Sequence, residues 1–276
     1  MQYPSLSIQK PEPSSWRPPF SWSGGKSQLA SKIVNLFRAH WPNDRSLISP
    51  FLGGGVVELR FMHSRRGACV ASDADKMLVL MWNALCEGAP PVAEACQSLM
   101  PIDRERFDLW LDQIQSADTF DPVLAAKFFI LKKTRAIHGW QFWPDKGVDF
   151  NQPKVHRAAF ALLSRFRVPR LSVTCEDFRE FLPAHDGCLY VDSPYFSDDG
   201  AMESVYHENV FGVAEHEALA DLLKARTGWI ASNNDCEWVR ETYRDYPMIE
   251  QVVRYDSRAR VGLAGRRSNE VIIVSR

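Results

Sequence analysis

A chain of 276 residues with 45% hydrophobic and 24% charged residues holds one large domain, or one domain with an insertion, and needs no covalent or metal staple. Its formal charge of -1 and six scattered cysteines argue against a uniformly basic nucleic-acid coat, a disordered or collagenous chain, a CxxC zinc site and a disulfide scaffold. No apolar run approaches the roughly 18 residues of a membrane span, and the N-terminus lacks the apolar stretch of a secretory signal, so a reduced, cytoplasmic protein is expected.

Residues 1–17, rich in Pro and Ser, read as a loose arm. A helix follows Gly25, with Leu29, Ile33, Leu36 and Phe37 at helical period. A strand at 46–49 runs into the glycines 53–55, and a helix follows over 56–63. A second strand, 68–72, ends in Asp73 and Asp75 and leads into a helix reaching about Cys86. Residues 87–170 read differently: amphipathic helices near 91–99, 104–116, 121–135 and 154–165 succeed one another without strands. From 171 the alternation resumes. Strands are expected at 171–175, 188–192, 229–232, 248–255 and 270–275, and helices at 176–182, 213–225 and 235–244. The prediction is an α/β fold: an open parallel sheet with helices on both faces, 18–86 and 171–276, interrupted by a helical insertion at 87–170.

Charge is not spread evenly. Residues 127–170 carry ten Lys or Arg against Asp145 and Asp149, and residues 250–276 carry six Arg against three acids. Two basic segments on an acidic body fit a polyanion footprint, although solvated helix faces explain them equally well.

Five short motifs are candidates for chemistry. FSWSGGKSQL (20–29) is not a P-loop, because position 20, where the first glycine is required, is Phe. It reads as a glycine turn offering backbone groups and the Lys26 cation. SPFLGGGVVEL (49–59) takes a strand through glycines into a helix, as nucleotide sites do; Glu58 stands where a third glycine belongs, and Asp73 follows at the distance of a ribose-binding acid. CEDF (175–178) pairs an acid with an aromatic, either to hold an adenine or simply to cap a helix through Asp177. LYVDSPYF (189–196) ends a strand in a carboxylate, a proline turn and an aromatic ring, which suits a planar amine but also an ordinary turn. The histidines show no metal-ligand spacing, and G-x-S-x-G is absent.

The order of these motifs is more specific than any one of them. It resembles the DNA adenine methylase (Dam-like) family of N6-adenine-specific, S-adenosylmethionine-dependent DNA methyltransferases, over nearly the whole chain from Pro19. The family's WAGGK reads Trp22-Ser23-Gly24-Gly25-Lys26, its F-x-G-x-G reads Phe51-Leu52-Gly53-Gly54-Gly55, and its D-P-P-Y reads Asp192-Ser193-Pro194-Tyr195. Residues 128–151, ending in Asn151, resemble its target-recognition entry, and Asn269-Glu270-Val271 its C-terminal motif.

The resemblance implies a Rossmann-like methyltransferase sheet and an S-adenosylmethionine site formed by Trp22, Gly24, Gly25, Lys26, Phe51, Gly53, Gly55, Asp73, Asp177, Phe178 and Asp192. Asp73 would take the ribose hydroxyls, and Asp177 with Phe178 the adenine. Asp192, Ser193, Pro194 and Tyr195 would act on a flipped adenine, with no metal and no covalent intermediate. Double-stranded DNA would be the partner, with a cognate restriction enzyme as a further one and the nucleoid as the place of action. The DNA-binding residues would include Lys132, Lys133, Arg135, His138, Lys146, Asn151, Arg258, Arg260, Arg266 and Arg267. Two departures stand out. Ser193 replaces a proline, and Lys132-Lys133 with Ile137-His138 replace Asn and aromatic residues, so the family's GATC target is not carried over. The rival readings are a non-catalytic DNA-binding module and an RNA or small-molecule methyltransferase.

Overall fold

A computed structural model describes residues 17–20, 22, 24–42, 45–64, 67–134, 149–168, 170–196, 211–255 and 266–275, without the side chains of 149, 254, 255, 266 and 267. The arm expected at 1–17 therefore lies almost wholly outside the described residues, as do Arg135, His138, Lys146, Arg258 and Arg260 and the side chains of Arg266 and Arg267.

The strands at the centre of the sheet are short and buried on both sides, and their successive residues enter different cores. Cys188 and Tyr190 join one cluster, Leu189 and Val191 the other. This two-sided burial is what a sheet between two helical layers requires. The first layer holds α1 (Ala30–His40), α2 (Val56–Ser64), α3 (Lys76–Leu99) and the helices of the insertion. The second holds α7 (Phe178–Ala184), α8 (Val213–Lys224) and α9 (Glu237–Thr242). Between them, β1 (Leu47–Ser49), β2 (Cys69–Ser72), β3 (Leu171–Thr174), β4 (Cys188–Val191), β5 (Trp229–Asn234), β6 (Met248–Tyr255) and β7 (Arg266–Val274) form one sheet in the order β3-β2-β1-β4-β5-β7-β6.

The α/β class is as expected, but the all-parallel sheet is corrected at its last strands. β1 to β5 pair in parallel, whereas β7 runs antiparallel to both β5 and β6 and lies between them. The connection 256–265 is too short for the crossover of about a dozen residues that a parallel return needs. β7 also begins at Arg266 rather than 270, in register with Tyr255.

In the insertion, α4 (Arg104–Gln115), α5 (Pro122–Thr134) and α6 (Pro153–Arg165) form near the expected positions. The break expected between about Cys86 and residue 91 is present as a kink within α3. Gly88 leaves the helical region, and Pro90-Pro91 open its second half, where a missing N–H costs little. The inner faces of α3, α5 and α6 share the core beneath the sheet. Asn151 braces this region: its Oδ1 accepts from Ile102 N at 2.9 Å and its Nδ2 donates to Ile102 O at 2.6 Å. Both ends of an amide expected to meet DNA are thus held by backbone. No helix among the described residues is long and apolar enough to cross a membrane.

Candidate active site at the carboxyl edge of the sheet

The strand order reverses at β1, between β2 and β4, and open α/β sheets bind ligands at such a switch point. Parallel pairing brings the ends of β3, β2, β1, β4 and β5 to one edge. This edge gathers Asp177 and Phe178, Asp73, the turn 51–55, Asp192–Phe196, and Ser232 with Asn234.

The turn after β1 is built by close approach. Asp73 Oδ2 accepts from Gly53 N at 2.8 Å, and Oδ1 accepts from Asp75 N at 3.0 Å. Trp82 Nε1 donates to Gly53 O at 3.0 Å. Gly55 has φ +63°, and a Cβ there would lie 2.8 Å from the Trp82 ring, so only glycine fits. Trp22 covers the same turn, 3.1 Å from the place of a Gly54 Cβ. Trp82, which no sequence motif singled out, is the brace of this turn. Nothing in helical spacing distinguishes it from ordinary core.

Beneath the turn lies Glu58, 2% exposed and accepting from Ser49 Oγ at 2.7 Å. Burial raises its pKa to about 7, with the Ser49 hydrogen bond opposing and the charges of Asp192 and Asp73 adding. A carboxyl whose folded pKa exceeds its unfolded value costs nothing below about pH 4.5 and costs progressively more as pH climbs towards 7. Glu58→Gln is therefore expected to raise stability at pH 8, by up to about 3 kcal/mol, and to flatten the pH dependence between those values. Urea unfolding at pH 4.5 and 8 checks this; an equal effect at both pH values would contradict it.

At the end of β4, Lys26 and Asp192 form an ion pair at 2.9 Å, with the lysine 4% and the aspartate 20% exposed. Lys26 Nζ also donates to Gly24 O at 2.9 Å and lies 4.6 Å from the centroid of the Tyr195 ring. Ser232 Oγ donates to Asp192 Oδ1 at 2.9 Å and is within 3.0 Å of Tyr190 Oη. Oδ1 thus meets two donors, while Oδ2 has no hydrogen-bond partner among the described residues. Burial raises the Asp192 pKa, and Lys26 and Ser232 pull it back. Ser193 is buried at 4% exposure. Phe196 follows, stacked on Trp238 at 4.5 Å and held through its carbonyl by Asn234 Nδ2 at 2.8 Å. His216 is buried against Phe196, Phe211 and Trp238, and burial lowers its pKa to about 4.

At the end of β3, Asp177 caps α7, accepting from Arg179 N at 2.8 Å. Phe178 is nearly covered, its ring 5.6 Å from those of both Phe51 and Phe211. On α5, the Lys132 ammonium lies 3.9 Å from the Trp22 ring centroid, and that of Lys133 lies 5.5 Å from Phe129. Burial lowers both lysine pKa values, that of Lys132 to about 8. Lys154, Arg157, Arg165 and Arg167 are the exposed cations on and beside α6.

Two kinds of known protein resemble this chain. The model of the D12 class N6 adenine-specific DNA methyltransferase family matches residues 22–134 and 150–257. A DNA adenine methylase of Haemophilus influenzae is 27% identical over 245 residues, 82% of each chain. One of Serratia marcescens is 24% identical over 242 residues, 81% of this chain and 85% of that protein. Among solved structures, a precorrin-6y C5,15-methyltransferase from Geobacter metallireducens superposes with a TM-score of 0.40 at 8% identity, covering 93% of this chain and 94% of that one.

Proposed function

The chain belongs to the D12 class N6 adenine-specific DNA methyltransferase family, and from that premise we propose that it transfers a methyl group from S-adenosylmethionine to N6 of an adenine flipped out of duplex DNA. The observation that carries this reading is the arrangement at the end of β4. There, one carboxylate oxygen of Asp192 is held by Lys26 and Ser232, and the other remains an acceptor beside the glycine turn.

S-adenosylmethionine supplies an electrophilic methyl group on a sulfonium when bound. The residues present fit such a group. Asp73 is fixed at the end of β2 by backbone N–H of Gly53 and Asp75, and a carboxylate there suits a ribose diol. Phe178 with Phe51 provides an aromatic wall beside it, and Trp22 lines the turn that would take the methionine part. Asp192 Oδ2 would accept one N6 hydrogen and the Ser193 carbonyl the other. This draws the nitrogen lone pair out of conjugation and aims it at the methyl carbon. Tyr195 would stack on the base, and Lys26 beneath it opposes the upward shift that burial gives the Asp192 pKa. Transfer would be direct and in line, with positioning and electrostatics as the protein's share. Residues 87–170 would recognise the target, with exposed Lys154 and Arg157 among the phosphate contacts.

Lys26→Met removes the charge that pulls the Asp192 pKa down. The acid limb of kcat/KM is expected to move to higher pH, because ionisation then needs fewer protons in solution. An unmoved limb would separate Lys26 from the acceptor role. The substrate class is tested by offering labelled S-adenosylmethionine with unmethylated duplex DNA or with RNA of the same sequence. Label in the DNA alone is expected, and label in the RNA alone would favour the RNA methyltransferase reading.

A further inference from the structure

Lys132 belongs to the insertion, yet its ammonium rests on the face of Trp22, 3.9 Å from the ring centroid. Trp22 is the residue that covers the glycine turn: a Cβ at Gly53 would lie 3.3 Å from its ring, and one at Gly54 3.1 Å from its Cβ. A cation from α5 therefore reaches the turn after β1, where the methionine part of the cofactor is assigned above. Removing an ammonium from water is costly, and a ring face offsets only part of that cost. The result is visible in a pKa lowered by burial to about 8, with Asp75 opposing the shift. Lys26, the other ammonium beside this turn, is already engaged by Asp192 and by Gly24 O.

The methionine part of S-adenosylmethionine ends in a carboxylate, which needs a cation or several donors once it leaves water. We propose that Lys132 holds the α-carboxylate of S-adenosylmethionine and so ties the insertion to the cofactor site. The assignment rests on the cofactor reading given above. It places Lys132 in cofactor binding, rather than among the phosphate contacts expected from its sequence neighbourhood. A lysine suits the task because its ammonium is a point charge on a flexible stem, able to leave the ring face for an anion.

The test is calorimetric titration of wild type, Lys132→Gln and Lys132→Arg with S-adenosylmethionine, S-adenosylhomocysteine and decarboxylated S-adenosylmethionine. Loss of a charge-assisted contact is expected to weaken binding of the two carboxylate-bearing ligands to Lys132→Gln alike, by about tenfold or more. The decarboxylated ligand should bind wild type and Lys132→Gln within about twofold. Lys132→Arg, which keeps the charge, should keep most of the carboxylate-dependent affinity. Equal weakening of all three ligands, or no weakening of any, would overturn the assignment. Wild type that binds none of the three would overturn the cofactor reading itself.

Discussion

Asp192→Asn is expected to lower kcat by about a thousandfold while leaving S-adenosylmethionine affinity within a fewfold. The reason is the unequal use of the two carboxylate oxygens. Oδ1 lies 2.9 Å from both Lys26 Nζ and Ser232 Oγ, two donors. An asparagine keeps its carbonyl oxygen there and turns its NH2 to the position of Oδ2. The acceptor proposed for the adenine amine then becomes a donor facing another donor, and the lone pair stays in conjugation. Substrate and cofactor still find the rest of their sites, so KM and Kd change little. Single-turnover rates with saturating DNA, beside calorimetric binding of the cofactor, separate the two effects. A variant that loses cofactor binding and rate together would instead make Asp192 a structural anchor.

Trp82→Ala is expected to cost about 3–5 kcal/mol of stability and to weaken cofactor binding as well. The side chain is fully buried, packs on Phe20 at 5.4 Å and on Phe166 at 6.3 Å, and donates to Gly53 O. Its removal empties the space above Gly55 and frees the turn that presents backbone to the ligand. Trp229 is the control. It is equally buried, in the core on the other face of the sheet, with its Nε1 donating to Leu223 O at 2.8 Å. Trp229→Ala should lose comparable stability without a specific loss of cofactor affinity at temperatures where both variants are folded. Equal affinity losses in the two would mean that Trp82 acts through general stability alone.

The helices and strands were largely legible because burial leaves a period in the sequence. Leu29, Ile33, Leu36 and Phe37 are all buried along α1 and the turn before it, and the apolar run Leu189–Val191 is buried on both faces of β4. Strand direction leaves no such trace. β6 and β7 mix apolar with polar and charged residues as many edge strands do in either direction, and only the short connection 256–265 hints that they run antiparallel. The candidate site was legible as an order of motifs, and Lys26 with Asp192 came together although they are far apart in sequence. What no local pattern carries is the target of a long side chain. Lys132 stands in a basic run that reads as a DNA face, yet it ends on Trp22, and Asn151 ends on Ile102. Ser232 and Tyr190 likewise read as strand residues, and only pairing of β4 with β5 brings the Ser232 hydroxyl to both Asp192 and Tyr190.

Ser193 bears on whether this loop is active. Proline would fix φ at that position, whereas here burial of Ser193 and the hold of Asn234 and Trp238 on Phe196 restrain the loop from its far side. An active enzyme is therefore expected despite the substitution, and the chemistry of its product decides the matter. The deciding measurement is mass-spectrometric analysis of nucleosides from unmethylated duplex DNA after incubation of the wild-type protein with methyl-labelled S-adenosylmethionine. Label confined to N6-methyl-2′-deoxyadenosine is the predicted result. Label in a methylated cytosine, or no label from protein that binds both DNA and cofactor, would contradict it.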